Sequence, residues 1–592
     1  MNQSAPVLSR DSDVQYEHPV QAGHRQILVF CAVSLLIGCS FFFRHITGML
    51  YTRFQYSCLV YNPKSVRENP PAKYDFMPED VSWDETRWYG RWTNEVLRGE
   101  WSGADLESYS AFLTSPVLRQ PLWLRDRMGP LILAGIARLP GSDVRTAFLA
   151  ADLLFPIGIA LSLMFLSWEL RPSMSFAVAA TSLIMFFNWQ DVLNFIAFLR
   201  GARQNSAIFL RTPYPQLSMI LFALFLLSLV RLVRKSSLAA SLCFGIFLTM
   251  NFLTYFYSWT YALMLIGTTG LLLLTAALFP SLELPTPSIK NLRHIFTTLV
   301  GATVVSLLLT FPVWEGIITK NSVVHATFLR SSGLLGHRPE LKYSSLLLML
   351  LVLLLLWRSC PWANRWIAVV YLSASLLVMN IQVITGKTIQ PGHWAAFYIQ
   401  PLFLLFLIDL LWELNRGKHR TLGRMVAAIL LAAGILTSVY KLSIGARQAI
   451  DFNRRDPAFE QLLSLLQQPR LRDYGFLSND DYVNSVLPAF VIQKPLWPLY
   501  HDPLTDAQLA SLKMASERSL ESGSIPDLVS NSQTPRGPIP PSPVLTFQTD
   551  RIIFVLNRHL SFSDSLLTNR RVLLQNQDFL VLTSAAVSLP EK

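Results

Sequence analysis

The sequence predicts an all-α polytopic membrane protein of about eleven transmembrane helices with a small α/β domain at its C-terminal end. Three observations carry this expectation. Of 592 residues, 52% are hydrophobic and 15% charged, and the mean hydropathy is +0.36, more apolar surface than a soluble core hides. Apolar runs recur from Ile27 to Tyr440. Beyond Lys441 the composition turns mixed.

Residues 1–26 read as a cytoplasmic tail, and the first apolar run, Ile27 to Phe43, lacks a small-residue cleavage site behind it, so it is expected to remain as an anchor. Further spans fall at approximately 146–168, 173–188, 214–232, 237–256, 259–279, 295–314, 343–357, 366–384, 397–412 and 425–440, each measured against the roughly 20 residues that cross a bilayer. Residues 27–440 thus form the transmembrane region, with a first outer loop at 44–145.

Orientation follows from the basic residues. With the N-terminus inside, the inner loops hold Arg171, Arg231, Arg234, Lys235, Lys290, Arg293, Arg358, Arg365, Arg416, Lys418, Arg420 and Arg424. These outnumber the outer set of Arg200, Arg203, Arg211, Lys320, Arg330, Arg338, Lys342 and Lys387, but only modestly. The outer arginines therefore ask for a cause of their own. An odd number of spans puts the first loop and the region 441–592 on the same outer face.

In that C-terminal region Asp456-Pro457 opens an amphipathic helix with Phe459, Leu462, Leu463 and Leu466 on one side. β-type runs follow at Ile552 to Leu556, Val572 to Leu574 and Phe579 to Leu582, the last two joined by Gln575-Asn576-Gln577-Asp578. The Ser/Pro-rich stretch from about Ser516 to Pro543 buries too little apolar surface to order itself. The net charge of +12 comes without a zinc finger or RNA-binding signature, which argues against nucleic acid and for membrane sidedness and anionic lipid. The five cysteines show neither a disulfide framework nor metal spacing.

The densest chemistry lies in the first loop, at Trp83-Asp84-Glu85-Thr86-Arg87-Trp88-Tyr89. Ser82 and Glu85 fit a capping box, and Asp84 suits the positive end of a helix, which accounts for both acids without catalysis. The helix beyond puts Trp88, Trp92 and Val96 on one stripe beside Arg87, Arg91, Glu95 and Arg98, the pattern of a helix lying in a membrane interface. Such a helix holds Asp84 and Glu85 at the depth of lipid phosphates.

Further outward candidates are Arg203, Arg211, Arg330, His337 and Arg338, with Lys387 and His393 in a compact loop built from Thr385-Gly386-Lys387 and Gln390-Pro391-Gly392-His393-Trp394. Guanidinium forks suit phosphate oxygens, while snorkelling and an aromatic belt are the ordinary alternatives. The aromatic run from Tyr255 to Tyr261 reads as a tight outer turn or as a wall for stacking a sugar. Asp152, within the second span, is placed near enough its outer end to reach the interface.

The stretch from Asp84 to Trp101, with Asp84-Glu85 followed by an aromatic residue and Leu97-Arg98-Gly99-Glu100-Trp101, resembles the first outer loop of GT-C glycosyltransferases. The aminoarabinose transferase and protein O-mannosyltransferase branch is the most similar. Of that loop's later half, Pro130-Leu131 is kept plainly, whereas a basic residue falls only to Arg125 or Arg127. The resemblance implies a GT-C-like fold and transfer of a sugar from a polyprenyl-phosphate donor to a hydroxyl of a glycan, lipid or protein acceptor, outside the cytoplasm. It implies Asp84, with Glu85, as the catalytic carboxylates, and Arg203, Arg211, Arg338, His337, Lys387 and His393 as candidates for the donor phosphate.

No cofactor is demanded. A divalent cation, Mg²⁺ or Mn²⁺, stays open because GT-C enzymes differ on this point and Glu79-Asp80 and Asp84-Glu85 offer oxygens. A transporter or lipid flippase is the second reading, and it should bring polar groups to the midplane, where the spans offer only Asp152 and, towards the inner end, Asp409. A catalytically inactive GT-C-like assembly protein is the third. The single Asn-x-Ser sequon, Asn2-Gln3-Ser4, falls in the cytoplasmic tail and leans towards the inner membrane of a bacterial cell.

Overall fold

The computed structural model describes residues 23–51, 89–97, 128–140, 142–186, 213–282, 292–311, 332–335, 343–357, 362–389 and 391–414, much of 457–493, and 551–583 apart from 568 and 569, with isolated positions between. Helices dominate. They are α1 (His24–Tyr51), α2 (Arg91–Leu97), α3 (Met128–Ala137), α4 (Val144–Leu170), α5 (Met174–Phe186), α6 (Gln216–Lys235), α7 (Leu238–Phe252), α8 (Phe256–Leu278), α9 (Leu292–Leu309), α10 (Tyr343–Trp357), α11 (Arg365–Met379), α12 (Gln382–Thr385), α13 (Pro391–Trp394), α14 (Gln400–Leu414) and α15 (Pro457–Leu466).

Six stretches are long and apolar enough to cross a membrane: His24–Phe43, Thr146–Leu170, Gln216–Lys235, Phe256–Leu278, Leu292–Leu309 and Gly392–Glu413. α6 is central, with 83% of its apolar window buried, and α9 is peripheral, with 17%. On the outside of the bundle Leu238, Leu242 and Ile246 form one exposed stripe of α7, and Val300, Val304 and Leu308 form one of α9. Apolar stripes at this spacing suit contact with lipid tails rather than water. The shorter helices α5, α7 and α11 are apolar too. The expected span at 425–440 lies almost wholly outside the described residues.

Local signals set several ends. Asp143 accepts from the Thr146 N–H at 2.7 Å and caps α4, and Ser237 caps α7 through the Ala240 N–H. Two expected boundaries change. The run from Tyr255 is not a turn, because Tyr255 is itself the N-cap of α8 and the aromatics after it fill that helix's first turns. The span expected at 366–384 breaks at Asn380, leaving α11 and the short α12.

Alternating helix directions gather residues distant in sequence at one end of the bundle. Arg171, just past α4, donates to Asp409 of α14 at 2.8 Å and to Glu413 at 2.5 Å. The other Asp409 oxygen accepts from Trp362 Nε1 at 2.7 Å and from Asn364 Nδ2 at 2.5 Å. Arg231 of α6 pairs with Glu169 at 2.7 Å, and Arg234 bridges the Glu169 carbonyl and the Asn364 side chain. Burial works to lower the Arg171 pKa, but Asp409 and Glu413 more than offset it and hold it above its ordinary value.

The C-terminal sheet has the order β3-β4-β6-β5, from β3 (Gly475–Ser478), β4 (Ile552–Asn557), β5 (Arg571–Gln575) and β6 (Phe579–Thr583). β4 pairs with β6, and β6 with β5, antiparallel, while β3 runs parallel to β4. α15 covers the sheet with Phe459, Leu462, Leu463 and Leu466, the side read from the sequence. β4 and β6 are buried along their whole length, which suits central strands, whereas β5 is exposed or half-buried at the edge. The segment Ser516 to Pro543 lies outside the described residues except Glu517 and Leu520, which are helical.

Candidate functional site

At the other end of the bundle, four side chains from four segments form a ladder. Tyr89, just before α2, meets Tyr214 edge-on with ring centroids 5.0 Å apart. Tyr214, just before α6, stacks on Tyr255 at 5.2 Å with 6° between the planes. The Tyr255 hydroxyl lies 2.8 Å from His393 Nδ1 at the head of α13. Tyr257 and Phe397 flank the imidazole at 4.6 and 5.1 Å. Such arrangements add roughly 0.5–1.5 kcal/mol per pair beyond area burial, so the ladder is a cohesive unit.

Gly129 explains how the first loop reaches it. Its N–H donates to the Tyr214 hydroxyl at 2.9 Å, and a Cβ there would sit 2.8 Å from Pro213 Cγ and 3.0 Å from Tyr214 Cε2. Only glycine lets α3 start this close to the ring. The Met128 N–H also donates to the Leu253 carbonyl at 3.2 Å, tying α3 to the end of α7.

His393 does not lie in a loop, contrary to the sequence reading. Pro391 opens a helical stretch in which α13 runs through a π-helical segment, Ala395–Ile399, into α14. Proline suits that first turn, having no N–H to leave unpaired. Trp394 is buried and donates from Nε1 to the Tyr257 carbonyl and Thr260 Oγ1, both at 3.0 Å. Tyr398 donates to Ser218 Oγ at 2.7 Å, so three residues of this stretch, His393, Trp394 and Tyr398, orient it against α6 and α8.

Lys387 falls in β2 (Lys387–Ile389), which pairs antiparallel with β1 (Ser332–Leu335), Leu335 opposite Lys387. His337 and Arg338 follow β1 directly and are exposed. His337 Nδ1 lies 3.1 Å from the Val383 carbonyl, and Gln382 Nε2 donates to the Arg338 carbonyl at 3.4 Å. Gly386 has φ +72°, and a Cβ on it would sit 3.0 Å from His337 Nε2, so glycine is needed twice over. His337, Arg338 and Lys387 are thus brought onto one hairpin-like element, with His393 in the helix that follows. Asp84, Glu85, Arg203 and Arg211 lie outside the described residues, although Tyr89 and Tyr214 follow closely behind Glu85 and Arg211.

At α2, Tyr89, Thr93 and Val96 are buried, Tyr89 and Val96 packing with α3 residues such as Leu133 and Ala134, so this side of the helix meets protein. One expectation is corrected. Asp152 does not reach the interface, since it is 6% exposed among the α4 core residues. Sequence reasoning missed Tyr214, for which Tyr-Pro was the only local cue, and the partnership of Tyr255 with His393. Among the described residues no cluster of three or more His, Cys, Asp or Glu forms a metal-ligand group.

Chemically, Tyr89 and Tyr214 are buried and packed on their neighbours' rings, which leaves the partly exposed Tyr255 and His393 as the end of the ladder able to meet a ligand. The Tyr255 hydroxyl can donate to Nδ1 or accept from it, depending on the imidazole tautomer. No protein-family model matches the chain, and no curated protein shows significant similarity to it.

Proposed function

We propose that the chain is an integral membrane glycosyltransferase of GT-C-like architecture, with about eleven spans, in the inner membrane of a bacterium. It transfers a sugar from a polyprenyl-phosphate donor to a hydroxyl acceptor on the extracytoplasmic face. The observation that carries the reading is the Tyr89–Tyr214–Tyr255–His393 ladder. It joins the segment just behind Asp84-Glu85 to the histidine at the head of α13, which follows Lys387 on β2, the strand paired with the β1 segment that leads into His337 and Arg338.

In this reading Asp84 orients and deprotonates the acceptor hydroxyl, with Glu85 beside it. The cationic groups Arg203, Arg211, Arg338 and Lys387, with His337 and His393, stabilise the departing polyprenyl phosphate. Tyr255, the ladder tyrosine that is only partly buried, contacts the sugar beside His393. Aromatic stacking binds a sugar without fixing which one, so the proposal extends to the substrate class and not to the particular sugar.

Purified protein in proteoliposomes, supplied with radiolabelled polyprenyl-phosphate sugars and an extract of envelope acceptors, tests the reading. Label should move from the organic-soluble donor into acceptor, and Asp84→Asn should prevent it. Translocation of the donor across the vesicle membrane without glycosidic transfer would identify a flippase instead.

A further inference from the structure

We infer that the C-terminal domain is a working part of this site, holding the first ring of the ladder in place through Asn94 and Phe490. The inference rests on the proposed transfer reaction for its consequence, but its structural basis is separate. The Asn94 amide of α2 donates to two carbonyls of the C-terminal domain, Pro488 O at 3.1 Å and Val491 O at 3.0 Å, across sequence separations of 394 and 397. These carbonyls lie in and just beyond the 3₁₀ turn Leu487–Ala489, where a helical end leaves acceptors unsatisfied, so a two-donor amide fits them as a cap.

The Phe490 carbonyl, between them, is engaged from the other side. Phe490 O accepts from Gln467 at 3.2 Å, and Gln493 donates to the Leu466 and Leu471 carbonyls at 2.8 and 2.7 Å, fixing the turn to the end of α15. The Phe490 side chain then belongs to two cores. It packs against Phe459 within the domain, centroids 6.3 Å apart, and against the cluster containing Tyr89, Tyr214 and Leu133. Inside α2, Thr93 Oγ1 donates to the Tyr89 carbonyl at 2.5 Å, so a pull on Asn94 passes within one turn to the ladder. Asn94 and Phe490 touch no reacting group and are positioning residues.

The test is made on the full chain in membranes. In Asn94→Cys/Pro488→Cys, mild oxidation should cross-link the two sites, and the locked protein should keep its transfer activity. Failure to cross-link while both cysteines react with maleimide would overturn the inference. So would activity that disappears on locking and returns with reductant, because the domain would then have to leave.

Asn94→Leu, which is close in size and lacks the donors, should raise hydrogen exchange of the Tyr89–Leu97 amides about tenfold while the α4 amides stay protected. It should lower kcat about tenfold with donor KM within twofold, as misplacement of a site does. Asn94→Gln should recover part of both. Unchanged exchange in Asn94→Leu overturns the inference whether or not sugar is transferred. Cross-linking and increased exchange in a protein that transfers no sugar would sustain the docking and reject the reaction.

Discussion

Arg171 and Asp409, 238 positions apart, meet through a 2.8 Å charge-assisted hydrogen bond, both side chains almost wholly buried. Neither is isolated: Asp409 has two further donors, Trp362 and Asn364, and Arg171 a second acceptor, Glu413. A buried carboxylate with three donors has its desolvation largely offset, but it cannot lose its cation without cost. Four helix ends are pinned here, opposite the end where the ladder lies.

Arg171→Met should therefore destabilise the fold by about 3–5 kcal/mol, the range for stranding one partner of a buried pair. Arg171→Met/Asp409→Leu should recover part of the loss, not all, because Trp362 and Asn364 would lose their acceptor. Thermal unfolding in detergent measures both, and a double variant no more stable than the single one would show that the pair is not coupled.

The opposite end should fail differently. His393→Phe keeps the ring packing with Tyr257 and Phe397 while removing the nitrogen next to Tyr255, so stability should change little. Sugar transfer should fall by about 10²–10³-fold, the range for losing a positioned polar group at a reacting centre. Tyr255→Phe should share the deficit less severely. Full transfer by His393→Phe would remove the histidine from the site.

Asp84→Asn should fold and insert like the parent while transfer drops by about 10² or more, the scale for losing a general base. Failure to accumulate in the membrane would favour the helix-capping role of Ser82, Asp84 and Glu85. Initial rates with saturating acceptor separate the two cases.

Gly386→Ala should lower stability by about 1–2 kcal/mol, because φ +72° disfavours a side chain and the new methyl meets His337. Gly386→Ala/His337→Ala relieves the second cause only. A double variant as unstable as the single one would assign the whole cost to the backbone, and a full recovery would assign it to the ring.

What the sequence made legible was whatever depends on local pattern. Most of the apolar runs within the described residues coincide with helices, although α1 continues to Tyr51 and the run at 366–384 breaks at Asn380, and the Phe459-Leu462-Leu463-Leu466 side of α15 was readable because its spacing is helical. β4, β5 and β6 were legible through their β-branched and leucine-rich runs. β3 was not, since Gly475-Phe476-Leu477-Ser478 is too short to show alternation and exists by pairing with β4 across the intervening chain. β1 and β2 were missed for the same reason, each holding only through the other. Of the site, His393 and the Tyr255 run were visible as residue types, but not their partnership, and Tyr214 carried no chemical signal until Gly129 and Tyr255 were set against it.

The bond between Asn94 and Pro488 also has a consequence for biosynthesis. At about 5–20 residues per second, the 394 residues separating them take roughly 20–80 s to emerge. Throughout that interval α2 can pack on α3 and the other helices made before the C-terminal domain, but its Asn94 amide must be satisfied by water. The ladder therefore takes this support only after Pro488 has been made, which in the proposed reaction would keep a chain still lacking its C-terminal domain from acting on the polyprenyl-phosphate donor. A stop codon placed after Leu414 should yield an inserted bundle in which the first ring is unclamped, a form whose lifetime in the cell would depend on how quickly proteases recognise α2.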